Sequence, residues 1–162
     1  MDPQLEASIR PSYTTLAIIC AAIGVGIIIM AVIAVMLAGE VAADTTPDGV
    51  GVLLPIFLVL GGAALVAAAT VRRRMMDWAA ASPNLETALA RLRTGTILAC
   101  AFSEVPAILG LVYVVLSGSL TWAPLFFGAA LVSLALSVPR MSRWREALAA
   151  GPQGPSSAIA GG

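Results

Sequence analysis

Glu104 is the residue of this sequence best suited to chemistry, because it is the only Asp, Glu or Arg well inside an apolar run. A carboxylate near the centre of a bilayer costs at least a few kcal/mol, and acids at that depth commonly mark ion or proton pathways. No arginine in the same run is positioned to neutralise it. We therefore expect a carboxyl group that is protonated at neutral pH and that binds and releases a proton.

Residues around Glu104 offer support for a bound proton or ion. Ser103 is adjacent, and Thr70 and Ser133 on other apolar runs are candidates to reach the carboxyl group. Pro106 follows two residues later, and its missing amide tends to kink a helix and to free carbonyl oxygens beside the acid. The alternative is structural: a protonated Glu104 that hydrogen-bonds a neighbouring helix and only fixes its packing.

The other side chains argue against enzymatic chemistry. The sequence has no His, which removes the commonest general base and metal ligand. Its two cysteines, Cys20 and Cys100, fall inside apolar runs, where we expect small inert hydrophobic residues. No motif for a nucleophile, a metal site or a phosphate cradle occurs, so we expect neither an enzyme nor a cofactor. Nine acidic residues balance nine arginines, so net charge gives no reason to expect nucleic-acid binding.

The elements that must position Glu104 are four apolar runs. Apolar side chains make up 59% of the 162 residues and charged ones only 11%, well below the roughly 25% charged residues of a soluble domain. The runs cover residues 14–39, 50–71, 94–118 and 121–138, and each is long enough to cross about 30 Å of hydrocarbon as a helix. They lack the two-residue alternation of a membrane barrel. We predict an all-α integral membrane bundle of four transmembrane helices.

The arginines predict the orientation of this bundle. All nine lie before the first run, between the second and third, or after the fourth. Because cytoplasmic loops are enriched in basic residues, we expect both termini in the cytoplasm. Arginine without lysine, together with abundant alanine, is typical of GC-rich bacterial genomes, which favours a bacterial inner (plasma) membrane. The consecutive Arg72, Arg73 and Arg74 are expected to anchor the chain at lipid headgroups.

Three further segments flank or join the helices. Residues 1–13 are expected to form a cytoplasmic N-terminus, and residues 72–93 a cytoplasmic elbow with a break at Pro83. After that break, leucines share one face of a stretch that lies at the interface, extends the third span inward, or binds a partner as an amphipathic helix. The transmembrane domain then covers residues 14–150, and the uncharged residues 151–162 form a disordered tail.

The two halves of the chain resemble each other. The pentapeptide GAALV of residues 62–66 recurs at residues 128–132, and an Arg-Met pair and a Trp recur at the same offset. The first and third runs match more weakly at an offset of 80, which pairs Cys20 with Cys100. We predict that the bundle consists of two duplicated hairpins in the same orientation.

Residues 91–112, RLRTGTILACAFSEVPAILGLV, resemble the carboxylate-bearing helix of the ATP synthase rotor-ring subunit c and its V-type proteolipid relatives. In that family a basic start precedes an Ala-Phe-Ser/Thr-Glu step and an Ile-x-Gly-Leu-Val run. The resemblance implies that Glu104 is the ion-carrying carboxylate. Four spans from a doubled hairpin are also similar to the V-type proteolipids.

These features predict a small polytopic membrane protein in which Glu104 binds a proton or ion in the manner of subunit c. We expect it to lie in the lipid bilayer. We also expect it to assemble as a homo-oligomer or within a larger membrane complex. The alternative from another class is a structural or assembly membrane protein whose Glu104 only fixes helix packing. Exchange of Glu104 for Gln separates the two, because it keeps size and hydrogen bonding while removing titration.

Overall fold

A computed structural model describes residues 3–41, 50–138, 141, 142 and 144, with side chains from residue 10 onward except for residues 39–50. The described chain is all-helical, as the sequence predicts. The outer loop expected between the first two spans and the tail expected after residue 150 lie outside the described residues. The α-helices of the described part are α1 Pro3–Val41, α2 Leu53–Ala80, α3 Leu85–Ser117 and α4 Ala123–Ser137, and a 3₁₀ turn, Val50–Val52, precedes α2.

Three of these helices are long and apolar enough to cross a membrane, over Arg10–Ala38, Leu53–Ala80 and Leu85–Ser117. The fourth is short: α4 has 15 residues, or about 22 Å at 1.5 Å per residue, against roughly 30 Å of hydrocarbon. The fourth span predicted over 121–138 is thus a shorter helix. Its end has a local cause, because Val138 precedes a proline, which disfavours helical backbone. The ψ of Val138 is 127°, outside the helical range.

Helices α2 and α3 continue past their apolar runs into the stretch expected as a cytoplasmic elbow, so that only residues 81–84 lie between them. Asn84 caps α3, since its side chain accepts a hydrogen bond from the backbone N of Thr87 at 2.8 Å. Arg91 ties the two helices together by donating to the carbonyl oxygen of Trp78 at 2.7 Å. The leucine face of this stretch therefore belongs to the first turns of α3, which begins well before the apolar run.

Helix α3 is the centre of the bundle and packs against each of the other three. It runs parallel to α1: Arg93 donates a hydrogen bond to Ser12 near the start of both helices. Further along both helices, the sulfur atoms of Cys20 and Cys100 lie 2.8 Å apart. Residue numbers therefore rise together along the α1–α3 interface.

Helices α2 and α4 run antiparallel to α3. On the α2 side, Gly95 faces Met75 and Pro106 faces Gly61, so residue numbers fall on one helix as they rise on the other. On the α4 side, the turn that follows α3 begins at Gly118, whose φ of 63° is left-handed backbone that favours glycine. A five-residue connection, 118–122, then reverses the chain.

Two apolar clusters hold the bundle together. One lies along the interfaces of α1, α3 and α4. Its buried members are Cys20, Ile27, Ala34, Ala38, Cys100, Ala107, Val114, Ala123, Phe127, Ala130 and Leu134. The other joins the start of α1, the end of α2 and the start of α3 to Trp144, through Leu16, Ala79, Ala88, Leu89 and Leu92. Trp144 also packs edge-on against Tyr13, with ring centroids 6.5 Å apart.

Candidate functional site

Glu104 lies at the edge of the face of α3 that the other helices leave least covered, on the side next to α1. Ile97, Ile108 and Val115 on this face are 44%, 47% and 43% exposed. Spacings of seven, four and seven residues place Glu104 between them on one side of the helix. The Glu104 side chain itself is half-buried. We call this row of residues, Ile97, Glu104, Ile108 and Val115, the Glu104 stripe.

The carboxyl group of Glu104 approaches α1 at Gly26, where a Cβ atom would lie 3.9 Å from Oε1. Among the side chains that the structure describes, none forms a hydrogen bond or an ion pair with this carboxyl group. In the same part of the chain, no fully buried side-chain oxygen lacks a hydrogen-bond partner. The oxygens of Glu104 must therefore reach the surface of the bundle, so the site beside Gly26 is open.

Ser103 enters a different interface and faces α4. It is fully buried, donates to the carbonyl oxygen of Ala99 at 2.8 Å and shares a hydrogen bond of 2.8 Å with Ser133. Ser137 adds a longer contact to Ser103 at 3.5 Å. Two of the residues expected to support Glu104 are thus brought together, but they bond each other and leave the carboxyl group alone.

Pro106 and Thr70 also lie apart from the carboxyl oxygens. Pro106 is buried against α2, where a Cβ atom at Gly61 would lie 3.9 Å from the Cβ of Pro106. Helix α3 continues through this proline to Ser117 without a break. Thr70 is exposed, and its hydroxyl donates to the carbonyl oxygen of Val66 at 2.8 Å within α2. The structure therefore does not place these two residues as ligands of a group bound at Glu104.

The arginines expected at lipid headgroups lie in the last third of α2. Arg73 and Arg74 are exposed, and Arg72 turns toward α4 to donate a hydrogen bond to the carbonyl oxygen of Leu136. Beside Arg72, an open groove of about 310 Å³ runs between α2 and α4, lined mainly by small and apolar side chains. Arg72 therefore lines this groove, whereas its two neighbours in the sequence remain exposed.

Sequence reasoning missed one pair of residues. Cys20 and Cys100 are 3% and 0% exposed, and their sulfur atoms lie 2.8 Å apart although 80 residues separate them in the chain. A signal for this contact exists in the sequence, since the weak repeat at an offset of 80 aligns these two cysteines. The apolar surroundings of each cysteine predict two inert thiols, but they do not predict that the two thiols meet.

Within the described residues, no group of three or more His, Cys, Asp or Glu side chains is arranged to hold a metal ion. No family model, curated protein or solved structure matches the chain. The likeness of residues 91–112 to subunit c therefore remains a resemblance of one helix.

Proposed function

We propose that this protein is a bacterial inner-membrane bundle in which Glu104 binds and releases a proton, within an oligomer that covers the Glu104 stripe. Its helices cross the membrane with both termini in the cytoplasm, as the distribution of arginines favours. The observation that carries the proposal is the half-buried carboxyl group of Glu104 at the edge of an exposed apolar face, without a hydrogen-bond partner among the described side chains.

The physical argument starts from the cost of the two protonation states. An ionised carboxylate facing lipid loses its hydration without gaining a cation, whereas the neutral acid avoids most of that cost. The neutral acid still has a hydroxyl donor and acceptor oxygens that lipid leaves unsatisfied. A partner helix or a file of water can satisfy them. Glu104 is thus poised to exchange its proton when a polar neighbour arrives.

Assembly follows from the same face. Ile97, Ile108 and Val115 flank the acid with apolar surface, and Gly26 presents no side chain beside it, so a helix from another copy can approach. Packing a second copy on this stripe removes the carboxyl group from lipid. In the proposed oligomer, the polar group that each stripe brings to the other is its own Glu104, so the two acids can hydrogen-bond each other.

The first experiment is labelling with a hydrophobic carbodiimide in membranes over a series of pH values, read by mass spectrometry. This reagent attacks a protonated carboxyl group in an apolar site, so we expect modification of Glu104 at neutral pH that fades at higher pH. Glu86 serves as an internal control, because it is exposed in the first turn of α3, outside the apolar run. Labelling of Glu86 but not of Glu104 would contradict the proposal.

Proton transfer is then tested in vesicles that contain the purified protein and a pH-sensitive dye. We expect the wild type to relax an imposed pH gradient faster than Glu104→Gln, while both elute alike in gel filtration. Equal relaxation by the two proteins would favour the alternative, a structural or assembly protein in which Glu104 only packs.

The oligomer is tested with a single cysteine on the Glu104 stripe. In a Cys20→Ser, Cys100→Ser background, Ile108→Cys is expected to form disulfide-linked dimers when membranes are oxidised. The matched control is Val132→Cys, which is 61% exposed on α4 and away from the stripe. Equal cross-linking at both positions would indicate random collision and would argue against an interface at the stripe.

A further inference from the structure

Cys20 and Cys100 form an isolated pair of thiols between α1 and α3. Their sulfur atoms are 2.8 Å apart, against about 2.05 Å in a disulfide bond. Both side chains are buried in the apolar cluster that joins α1, α3 and α4. The pair lies one helical turn before Glu104 along α3 and belongs to no site described above.

The contact follows from the packing of two whole helices. Along α1, Cys20, Ile27 and Ala34 are buried at intervals of seven residues. Along α3, the residues 80 positions later, Cys100, Ala107 and Val114, are buried at the same intervals. Seven-residue spacing on two parallel helices is the pattern of a coiled-coil interface, in which equivalent positions meet in layers. The two cysteines occupy one such layer.

The surroundings favour a covalent bond over a metal site. Within the described chain, no third His, Cys, Asp or Glu joins the two sulfurs in a metal-binding arrangement. Deep burial also keeps soluble thiols from attacking a disulfide once it has formed, because exchange requires access to a sulfur atom.

We propose that Cys20 and Cys100 form an intramolecular disulfide that joins α1 to α3 inside the membrane, with a lipid-soluble quinone as the oxidant. Two S–H bonds break and one S–S bond forms. The quinone takes up the two protons and two electrons and leaves as the quinol. The joined helices hold Gly26 beside Glu104, so the bond fixes the spacing of α1 and α3 at the acid.

The test is oxidation of membranes that contain the full chain with a short-chain quinone, followed by denaturation and reaction with a maleimide. We expect both cysteines to become unreactive, and the intact monomer to lose about 2 Da because two hydrogen atoms leave with the electrons. Treatment with a reductant after denaturation should restore reaction at both positions. Retention of two free thiols after the quinone treatment overturns the proposal, and so does a disulfide-linked dimer.

Two sets of variants separate this bond from other losses of thiol reactivity. In Cys20→Ser, the remaining Cys100 should stay reactive after the quinone treatment, and Cys100→Ser should leave Cys20 reactive. Moving the first thiol to a different face of α1 with Cys20→Ser and Ile18→Cys should abolish the bond, because Ile18 is 64% exposed. If residues 18 and 100 form a disulfide in the same yield as Cys20 and Cys100 do in the wild type, the packed interface does not determine which cysteines pair.

Discussion

Replacement of Gly95 by Ala tests the closest approach of α2 to α3. A Cβ atom at this position would lie 2.5 Å from the Cβ of Met75 and 2.6 Å from its Cγ. Optimal carbon–carbon contacts lie at about 3.5–4.0 Å, so the two helices would have to separate by about 1 Å. The Cβ of Met75 is fixed to its backbone, so rotation of that side chain cannot provide the space.

The magnitude follows from a matched control. Overpacking of this kind costs about 1–3 kcal/mol, while exchange of Gly for Ala inside a helix returns up to about 1 kcal/mol through helix propensity. At Gly62 in α2, a Cβ atom would meet nothing within 4 Å. Gly62→Ala therefore carries the propensity gain alone, and Gly95→Ala should be less stable than Gly62→Ala by about 1–3 kcal/mol.

The assay is reversible unfolding of the purified protein in mixed micelles with increasing SDS, followed by helical circular dichroism. The two alanine variants should differ in midpoint, with Gly95→Ala unfolding at the lower fraction of SDS. Gly110→Ala repeats the test on the α4 side, where a Cβ atom would lie 2.7 Å from the Cβ of Phe126. Coincident unfolding curves for Gly95→Ala and Gly62→Ala would refute the argument, because they would mean that α2 and α3 do not approach this closely.

Three further outcomes are expected. Asn84→Ala should lower the free energy of unfolding by about 1 kcal/mol through loss of the α3 cap, whereas Asn84→Asp should retain it. Ser103→Ala should cost about 1 kcal/mol, because it removes the hydrogen bond to the half-buried hydroxyl of Ser133, and the double alanine variant should cost less than the sum of the two single changes. Both predictions are measured by the same unfolding assay. If the free-energy cost of the double alanine variant equals the sum of the two single costs, the contact between Ser103 and Ser133 is contradicted. In a background without native cysteines, Ile27→Cys with Ala107→Cys should form an intramolecular disulfide under mild oxidation. Failure of that cross-link would argue against the parallel, in-register packing of α1 and α3.

The sequence predicts the helices well because long apolar runs without two-residue alternation are typical of helices. It predicts their ends less well, since hydropathy marks only the part of a helix that lies in hydrocarbon. Helix α2 continues to Ala80 and α3 already begins at Leu85, so both extend beyond the runs 50–71 and 94–118. What stops them is local chemistry at the Asn84 cap and the proline before it.

The surroundings of Glu104 show where sequence reasoning stops. An acid in an apolar run is conspicuous, so the residue is easily found from its type alone. Which neighbours it meets depends on the rotation of α3 against the other helices, and no local pattern encodes that rotation. Ser103, one residue away, turns to Ser133 on α4, whereas Glu104 approaches Gly26 on α1. Adjacent residues on a helix point about 100° apart and therefore enter different interfaces.

The proposed duplication of the hairpins gives the open site a structural origin. Two equivalent hairpins would pack α2 against α1 as closely as α4 packs against α3. In the described chain, α3 and α4 pack closely whereas α1 and α2 do not. At the repeat offset of 80, the counterpart of Glu104 is Gly24. There a Cβ atom would lie 3.3 Å from the side chain of Leu134 on α4.

Of the two positions paired by the repeat, the one that α4 covers holds Gly24. The less covered one holds Glu104. An acid at Gly24 would be forced against α4, whereas position 104 lies at the edge of the face between α1 and α2, which do not pack closely in the described chain. Packing alone does not require a carboxyl group at that position, since any apolar residue would suit a face turned to lipid. The packing of the described helices therefore gives no reason for the departure from the repeat at Glu104.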